Sequence, residues 1–258
     1  MLLLNISERY PLNSKYLSLP GSYRKVSNSM QLYGLQKMTL LDYPGFVACT
    51  VFLGGCNLRC PFCHNFGLAL ETVDPIMTED TFFSFLRKRR GLLEGVVISG
   101  GEPCLHRQLP VFCEKIKDLG FLVKLDTNGL YPKILAPLLS TGLVDYVAMD
   151  IKNSLSKYPL TAGLSDLDTE PITTSVSLIM QSGINYEFRT TVVEEYHTDN
   201  DFESIGELIA GATQYFIQPF TDRDSVPQKN LHAPDEASLH RYASIMKHYV
   251  AHVGIRGI

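Results

Sequence analysis

The sequence has no apolar run long enough to cross a bilayer, which excludes a helical membrane span of the usual ~20 residues. The opening Met1-Leu2-Leu3-Leu4 is too short and too soon interrupted to be a signal peptide. Basic residues are not in excess either. The 23 Lys and Arg against 27 Asp and Glu leave a net charge of −4, which argues against a general nucleic-acid binder. The one basic run, Arg87-Lys88-Arg89-Arg90, reads as a solvated helix end, with a docking patch as the other reading. Six cysteines in 258 residues do not make a small secreted disulfide framework. Thiols without a signal peptide point to a reducing cytoplasm.

Three of those cysteines stand within eight residues. Cys56, Cys60 and Cys63 lie in Gly54-Gly55-Cys56-Asn57-Leu58-Arg59-Cys60-Pro61-Phe62-Cys63-His64-Asn65, directly after the apolar run Val47–Leu53. Thiolate is a soft ligand for iron and zinc. A closed zinc site or an electron-transfer cluster wants four protein ligands, and no second cysteine pair follows. Three thiols leave one iron of a cubane open. Spacings of four and three also suit three core thiols on a helix, but Pro61 and Gly54-Gly55 oppose a regular helix. His64 adjoins Cys63 and is poorly placed to close a zinc tetrahedron.

Residues 1–29 are polar and punctuated by Asn13-Ser14, Pro20-Gly21-Ser22 and Ser27-Asn28-Ser29, and read as a flexible extension or a mis-assigned start. The remainder, 30–258, reads as one domain. Strand-like runs at Phe46–Leu53, Gly95–Ser99, Phe121–Asp126, Val144–Met149, Tyr186–Val193 and Gln214–Gln218 alternate with helical patterns at Glu79–Arg89, Leu109–Leu119, Pro132–Ser140, Thr169–Gln181 and Asp201–Ala210. Such alternation predicts an α/β fold with parallel strands joined by crossovers. Six units are fewer than the eight of a closed barrel, so the expectation is a partial, TIM-like (β/α)6 barrel. A last helix near Asp235–Val250, with Leu239, Tyr242, Ile245 and Met246 on one face, is expected to cover it.

In such folds the chemistry sits at the carboxyl ends of the strands. Those ends carry the cysteine loop, Gly100-Gly101-Glu102-Pro103, Asp126-Thr127-Asn128-Gly129, Asp150-Ile151-Lys152, Arg189 and Gln218. Each has a plainer reading. Gly-Gly-Glu-Pro also makes a tight strand-to-helix turn, the acid-rich ends also make caps, and Arg189 also suits a structural ion pair. His197 reads as exposed, and Cys49, Cys104 and Cys113 as small core residues.

The C-x3-C-x-aromatic-C pattern, with Phe62 in the aromatic place, resembles the signature of the radical S-adenosylmethionine (SAM) enzymes. Asp42-Tyr43-Pro44-Gly45 ahead of it and Cys63-His64-Asn65 at its end resemble the branch that activates glycyl-radical enzymes. Within that branch the text is most similar to the activating proteins of anaerobic ribonucleoside-triphosphate reductase, with pyruvate formate-lyase activating enzyme more distant. The resemblance covers Leu32 to Phe220.

It implies a [4Fe-4S] cluster on Cys56, Cys60 and Cys63, with SAM on the open iron beside Phe62. It further implies that Gly100, Gly101 and Glu102 hold the SAM amino group. Asp126, Thr127, Asn128, Asp150 and Lys152 would hold its carboxylate and ribose, with Arg189 nearby. Asp126, Thr127 and Asp150 would also ligate a monovalent cation. Asp42 would face the incoming protein. The activity so implied is reductive cleavage of SAM and hydrogen abstraction from a glycine of a partner glycyl-radical enzyme, with flavodoxin or ferredoxin as electron donor. A small-molecule radical SAM enzyme, such as one forming a deazapurine, would share every SAM-binding residue. An iron–sulfur or zinc module without enzymatic activity is the third reading.

Overall fold

The computed structural model describes residues 30–257. The expected extension at 1–29 therefore lies outside the described residues. Nine strands form one sheet in the order β3-β1-β2-β4-β5-β6-β7-β8-β9. They are β1 (Gln31–Thr39), β2 (Ala48–Leu53), β3 (Met77–Thr78), β4 (Gly95–Gly100), β5 (Leu122–Thr127), β6 (Tyr146–Asp150), β7 (Asn185–Val192), β8 (Gln214–Pro219) and β9 (His252–Ile255). From β2 to β9 every neighbouring pair is parallel. β1 runs antiparallel to both β2 and β3 and extends one edge. The two edge strands, β3 and β9, do not pair with each other among the described residues, so the curved sheet is an open barrel.

Helices supply the crossovers: α1 (Phe66–Ala69), α2 (Glu79–Lys88), α3 (Leu109–Asp118), α4 (Pro132–Ser140), α5 (Tyr158–Ala162), α6 (Glu170–Gln181), α7 (Asp199–Leu208) and α8 (Glu236–Met246). All six expected strands and all six expected helices are present. The additions are the antiparallel edge β1 and β3, the short α1 and α5, and β9. α8 is the crossover from β8 to β9; it packs in the outer layer, with Tyr242 stacked on Phe202 of α7 at 4.1 Å between ring centroids.

Strand alternation explains how this sheet sorts its side chains, since successive residues point to opposite faces. Val96 and Ile98 of β4, Val123 and Leu125 of β5, and Val147 and Met149 of β6 join the large core beneath the helices. Their neighbours face the lumen instead. There Tyr43, Ala48, Val97 and Tyr146 form a separate apolar cluster. Beyond it the lumen turns polar: Lys124 and Asp126 on β5, Asp150 on β6, and Glu187 and Arg189 on β7. Registers such as Asp150 opposite Arg189 bring these charges side by side. Burying so many ions costs free energy unless each is paired, and each is.

Candidate functional site

The cysteine loop leaves β2 at Leu53 and is pinned by backbone bonds to its surroundings. The N–H of Gly55 donates to Leu68 O at 2.9 Å, that of Cys56 to Ala69 O at 3.1 Å, and that of Arg59 to Ala162 O at 2.8 Å. α1 and α5, both unforeseen, thus brace the loop. Within it the Cys63 N–H donates to Cys60 O at 3.1 Å, which turns the chain so that all three thiols border one cavity. That cavity, of about 170 Å³, is also lined by Leu58, Phe62, Ser99, Gly100, Gly101, Asp126, Thr127, Asn128, Asp150, Lys152, Arg189 and Thr191, among others.

Burial pushes the Cys60 thiol up to about 12 and raises Cys56 and Cys63 as well, while the Lys152 ammonium pulls all three back. Binding metal would therefore release protons from them. Among the described residues no three or more His, Cys, Asp or Glu converge on a single ion. Three thiolates around one cavity, with no fourth protein ligand beside them among the described residues, suit a cubane in which each thiolate has its own iron better than a structural zinc, which wants four ligands. His64 does not supply a fourth ligand: its Nε2 donates to Thr221 O at 2.7 Å and its ring stacks on Phe220. The donor set fits a cluster with one open corner.

β4 ends against this loop. Gly101 N–H donates to Leu53 O at 2.9 Å, and Glu102 N–H to Gly55 O at 2.8 Å. Gly100 has φ +124°, and a Cβ there would lie 2.2 Å from Leu53 O; at Gly101 a Cβ would lie 1.9 Å from Gly55 O. Only glycine permits both approaches. The structure departs from expectation at Glu102. The side chain is fully buried and does not border the cavity. Its Oε1 accepts from Cys104 N–H at 2.9 Å and the Thr127 hydroxyl at 2.8 Å, and its Oε2 from Asn128 N–H at 2.6 Å. Burial raises its pKa, against the pull of those donors. Glu102 is a brace between strand ends, and what faces the cavity at this turn is Gly100 and Gly101.

Asn128 ties the third strand end to the cysteine loop, donating from Nδ2 to Asn57 Oδ1 at 2.8 Å. Around Asp126 and Asp150 the charges form a chain. Lys124 Nζ lies 2.5 Å from Asp126 Oδ1, and Arg189 Nη2 lies 3.4 Å from Asp126 Oδ2. Arg189 Nε meets Asp150 Oδ1, and Lys152 Nζ lies 2.9 Å from Asp150 Oδ2. Burial is the largest single influence and works to raise both carboxyl pKa values, but Arg189 together with Lys124 at Asp126, and together with Lys152 at Asp150, outweighs it and holds both below the ordinary carboxylate range. Burial likewise opposes the charge on Lys152 and on Arg189, and their acid partners prevail.

Several residues here escaped the sequence reading. Lys124, 2% exposed, is a charge two residues before Asp126 in an apolar strand, and that period-two spacing was the available signal. His197, expected to be exposed, is buried: Val193 N–H donates to its Nδ1 at 3.1 Å, and its Nε2 donates to Lys152 O at 3.0 Å. Burial lowers its pKa, so the neutral ring fixes the backbone at Lys152. His106 Nε2 donates to Gly54 O at 2.8 Å and steadies the cysteine loop. Cys49, Cys104 and Cys113 are buried as expected. A second cavity, of about 430 Å³, is lined by Leu41, Asp42, Lys124, Asp126, Arg189, Gln218, Arg256 and Gly257. It shares Asp126 and Arg189 with the first. Gln218 borders this second cavity, and Asp42, which accepts from the Thr50 hydroxyl at 2.6 Å, stands at its edge.

An open parallel barrel with a three-thiol loop at its mouth defines a class of iron–sulfur enzyme fold. The sequence profile described as the radical SAM superfamily matches residues 50–209, and the chain belongs to that superfamily. Membership implies a [4Fe-4S] cluster and SAM as cofactors. A protein of Methanocaldococcus jannaschii, named as a candidate glycyl-radical enzyme activating enzyme, is 33% identical over 234 residues, 87% of this chain and 95% of its own. The 7-carboxy-7-deazaguanine synthase of Hyperthermus butylicus is 40% identical over 92 residues, 35% of this chain and 38% of its own. A solved radical SAM methyltransferase from Sphaerobacter thermophilus shares the fold, with a TM-score of 0.62 at 15% identity over 83% of this chain and 68% of that one. No helix among the described residues is long and apolar enough to cross a membrane.

Proposed function

We propose that this chain is a radical SAM activating enzyme that generates a glycyl radical on a partner protein, with anaerobic ribonucleoside-triphosphate reductase as the candidate partner. The cavity that gathers Cys56, Cys60 and Cys63 with Gly100, Gly101, Asp126, Asn128, Asp150, Lys152 and Arg189 supports the radical SAM chemistry, and the likeness to the candidate activating enzyme over 87% of the chain carries the choice of a glycyl radical. The three thiols would hold three irons and leave the fourth open. When bound, the cluster and SAM supply a one-electron cleavage that yields methionine and a 5′-deoxyadenosyl radical. The chain's own residues orient and shield. The backbone at Gly100 and Gly101 suits the SAM amino group, Lys152 its carboxylate, and Asp126, Asn128 and Arg189 the remaining polar atoms. Phe62, 4% exposed, walls the cavity against water.

Two features favour a protein substrate. The likeness to the candidate activating enzyme runs over 87% of the chain, whereas the deazaguanine synthase likeness covers 35%. The end of β1 and the turn after it also expose Met38, Leu40 and Leu41, and Leu41, 88% exposed, lines the second cavity. Apolar side chains presented in this way suit a protein surface. A small-molecule enzyme of the deazaguanine type is the second reading, favoured by the local similarity to the synthase. The deciding experiment is anaerobic reconstitution, reduction by flavodoxin or ferredoxin, and electron paramagnetic resonance with SAM and the reductase. A glycyl doublet on the reductase supports the activase. Production of 5′-deoxyadenosine with no protein radical, the 5′-deoxyadenosyl radical taking its hydrogen only from free small molecules, sinks it.

A further inference from the structure

The resemblance to glycyl-radical activating enzymes implies a monovalent cation held by Asp126, Thr127 and Asp150. The residues present do not fit one. Every carboxylate oxygen of the two acids already faces a positive side chain: Lys124 and Arg189 at Asp126, and Arg189 and Lys152 at Asp150. The Thr127 hydroxyl is turned to other partners, donating to Glu102 Oε1 at 2.8 Å and accepting from Gly129 N–H at 3.1 Å. Three positive groups against two negative ones leave this ring with one positive charge in excess. Below it, Glu187 is matched by Arg256, at 2.8 and 2.7 Å, and adds no free negative charge. Such a ring repels a further cation and attracts an anion.

We propose that the Lys124 ammonium is a built-in counter-cation, which positions Asp126 and makes a bound alkali ion unnecessary. Lys124 is 2% exposed, and its Nζ lies 2.5 Å from Asp126 Oδ1 and 5.8 Å from the Tyr146 ring centroid. Its stem enters from β5, so no ion has to be recruited from solution. The excess charge that results is of the sign that complements one carboxylate, such as that of SAM. In this the inference rests on the proposed SAM site.

The test compares wild-type holoenzyme with Lys124→Ala and Lys124→Met in KCl, NaCl and choline chloride at equal ionic strength, reading SAM affinity and unfolding temperature. Wild type should show the same SAM affinity, within about twofold, in all three salts. Lys124→Ala, which opens space for an ion, should bind SAM about tenfold more weakly in choline chloride than in KCl, a usual size for coupling between two ligands. It should also melt higher in KCl than in choline chloride, because an ion that binds only the folded state stabilises it. Lys124→Met keeps the stem and fills the space, so potassium should not rescue it. Wild-type affinity or melting that depends on potassium overturns the proposal, as does a Lys124→Ala protein indifferent to the salt. If wild type binds no SAM in any salt, the proposed function fails, and the melting comparison still decides the role of Lys124. Should Lys124→Ala not fold, the wild-type salt comparison stands alone as the test.

Discussion

Glu102→Gln separates a brace from a ligand. The carboxylate accepts from Cys104 N–H and Thr127 on one oxygen and from Asn128 N–H on the other. An amide offers one oxygen. If that oxygen faces Cys104 and Thr127, the NH2 group meets the Asn128 N–H, donor against donor. If it is flipped, Cys104 N–H is the one left without an acceptor. A buried donor so orphaned costs about 1–3 kcal/mol. The surviving bonds lose their charge assistance, roughly half their strength. Removing a buried charge returns part of its desolvation cost, so the net loss should be about 2 kcal/mol. For a chain of this size, about 2–4 °C per kcal/mol converts that to a fall in unfolding temperature of about 4–8 °C. Circular dichroism on the anaerobic protein measures it. SAM affinity of the folded variant should change little, because Glu102 does not border the cavity. A variant that melts with wild type yet no longer binds SAM would show the carboxylate to be a ligand and refute the reasoning.

Gly101→Ala should be worse than its single methyl suggests, because the Cβ would lie 1.9 Å from Gly55 O. The expected result is displacement of the cysteine loop and loss of most iron after reconstitution, read by iron and sulfide analysis. Alanine at Cys56, Cys60 or Cys63 should remove the cluster absorbance, whereas Cys113→Ala should leave iron content unchanged, since Cys113 is fully buried in the core. Folded Asp126 and Asp150 bind protons more weakly than the unfolded chain does, so the stability they contribute is complete above the ordinary carboxylate pKa of about 4. It should fall away as pH drops below that toward their folded values. Urea titrations between pH 7 and 3 would show it, and a flat profile would contradict the ion-pair chain.

The barrel was legible because its strands are β-branched runs with small or polar ends, and its crossovers carry a helical period. The edge strands were not. β3 is two residues long, and β1 alternates weakly, since much of Gln31–Thr39 is open to solvent. β9 holds Gly254 and only two β-branched residues, and it pairs with β8 through tertiary contact rather than propensity. The mouth residues were legible for a different reason: strand ends collect them, whatever they do there. What a linear reading missed was pairing across strands. The resemblance made Glu102 a ligand, yet Cys104 of its own turn and Thr127 and Asn128 at the end of β5 turn it inward. His197 looked solvent-exposed in a charged loop, yet the Val193 and Lys152 backbones claim both ring nitrogens.

That blindness has one physical source. A lumen lined with charge is tolerable only if the charges come in matched sets, and while Lys124–Asp126 and Lys152–Asp150 are local, the other matches join residues far apart in sequence: Asp126 with Arg189, Asp150 with Arg189, Glu187 with Arg256. The consequence is that the two cavities are not independent. Asp126 and Arg189 border both, so the wall between the cavity with the thiols and the cavity with Asp42 is itself an ion pair. A group arriving on either side changes the field on the same two side chains. An ion pair at that position can answer a ligand's charge by a small shift of one guanidinium, where an apolar wall would have nothing to shift.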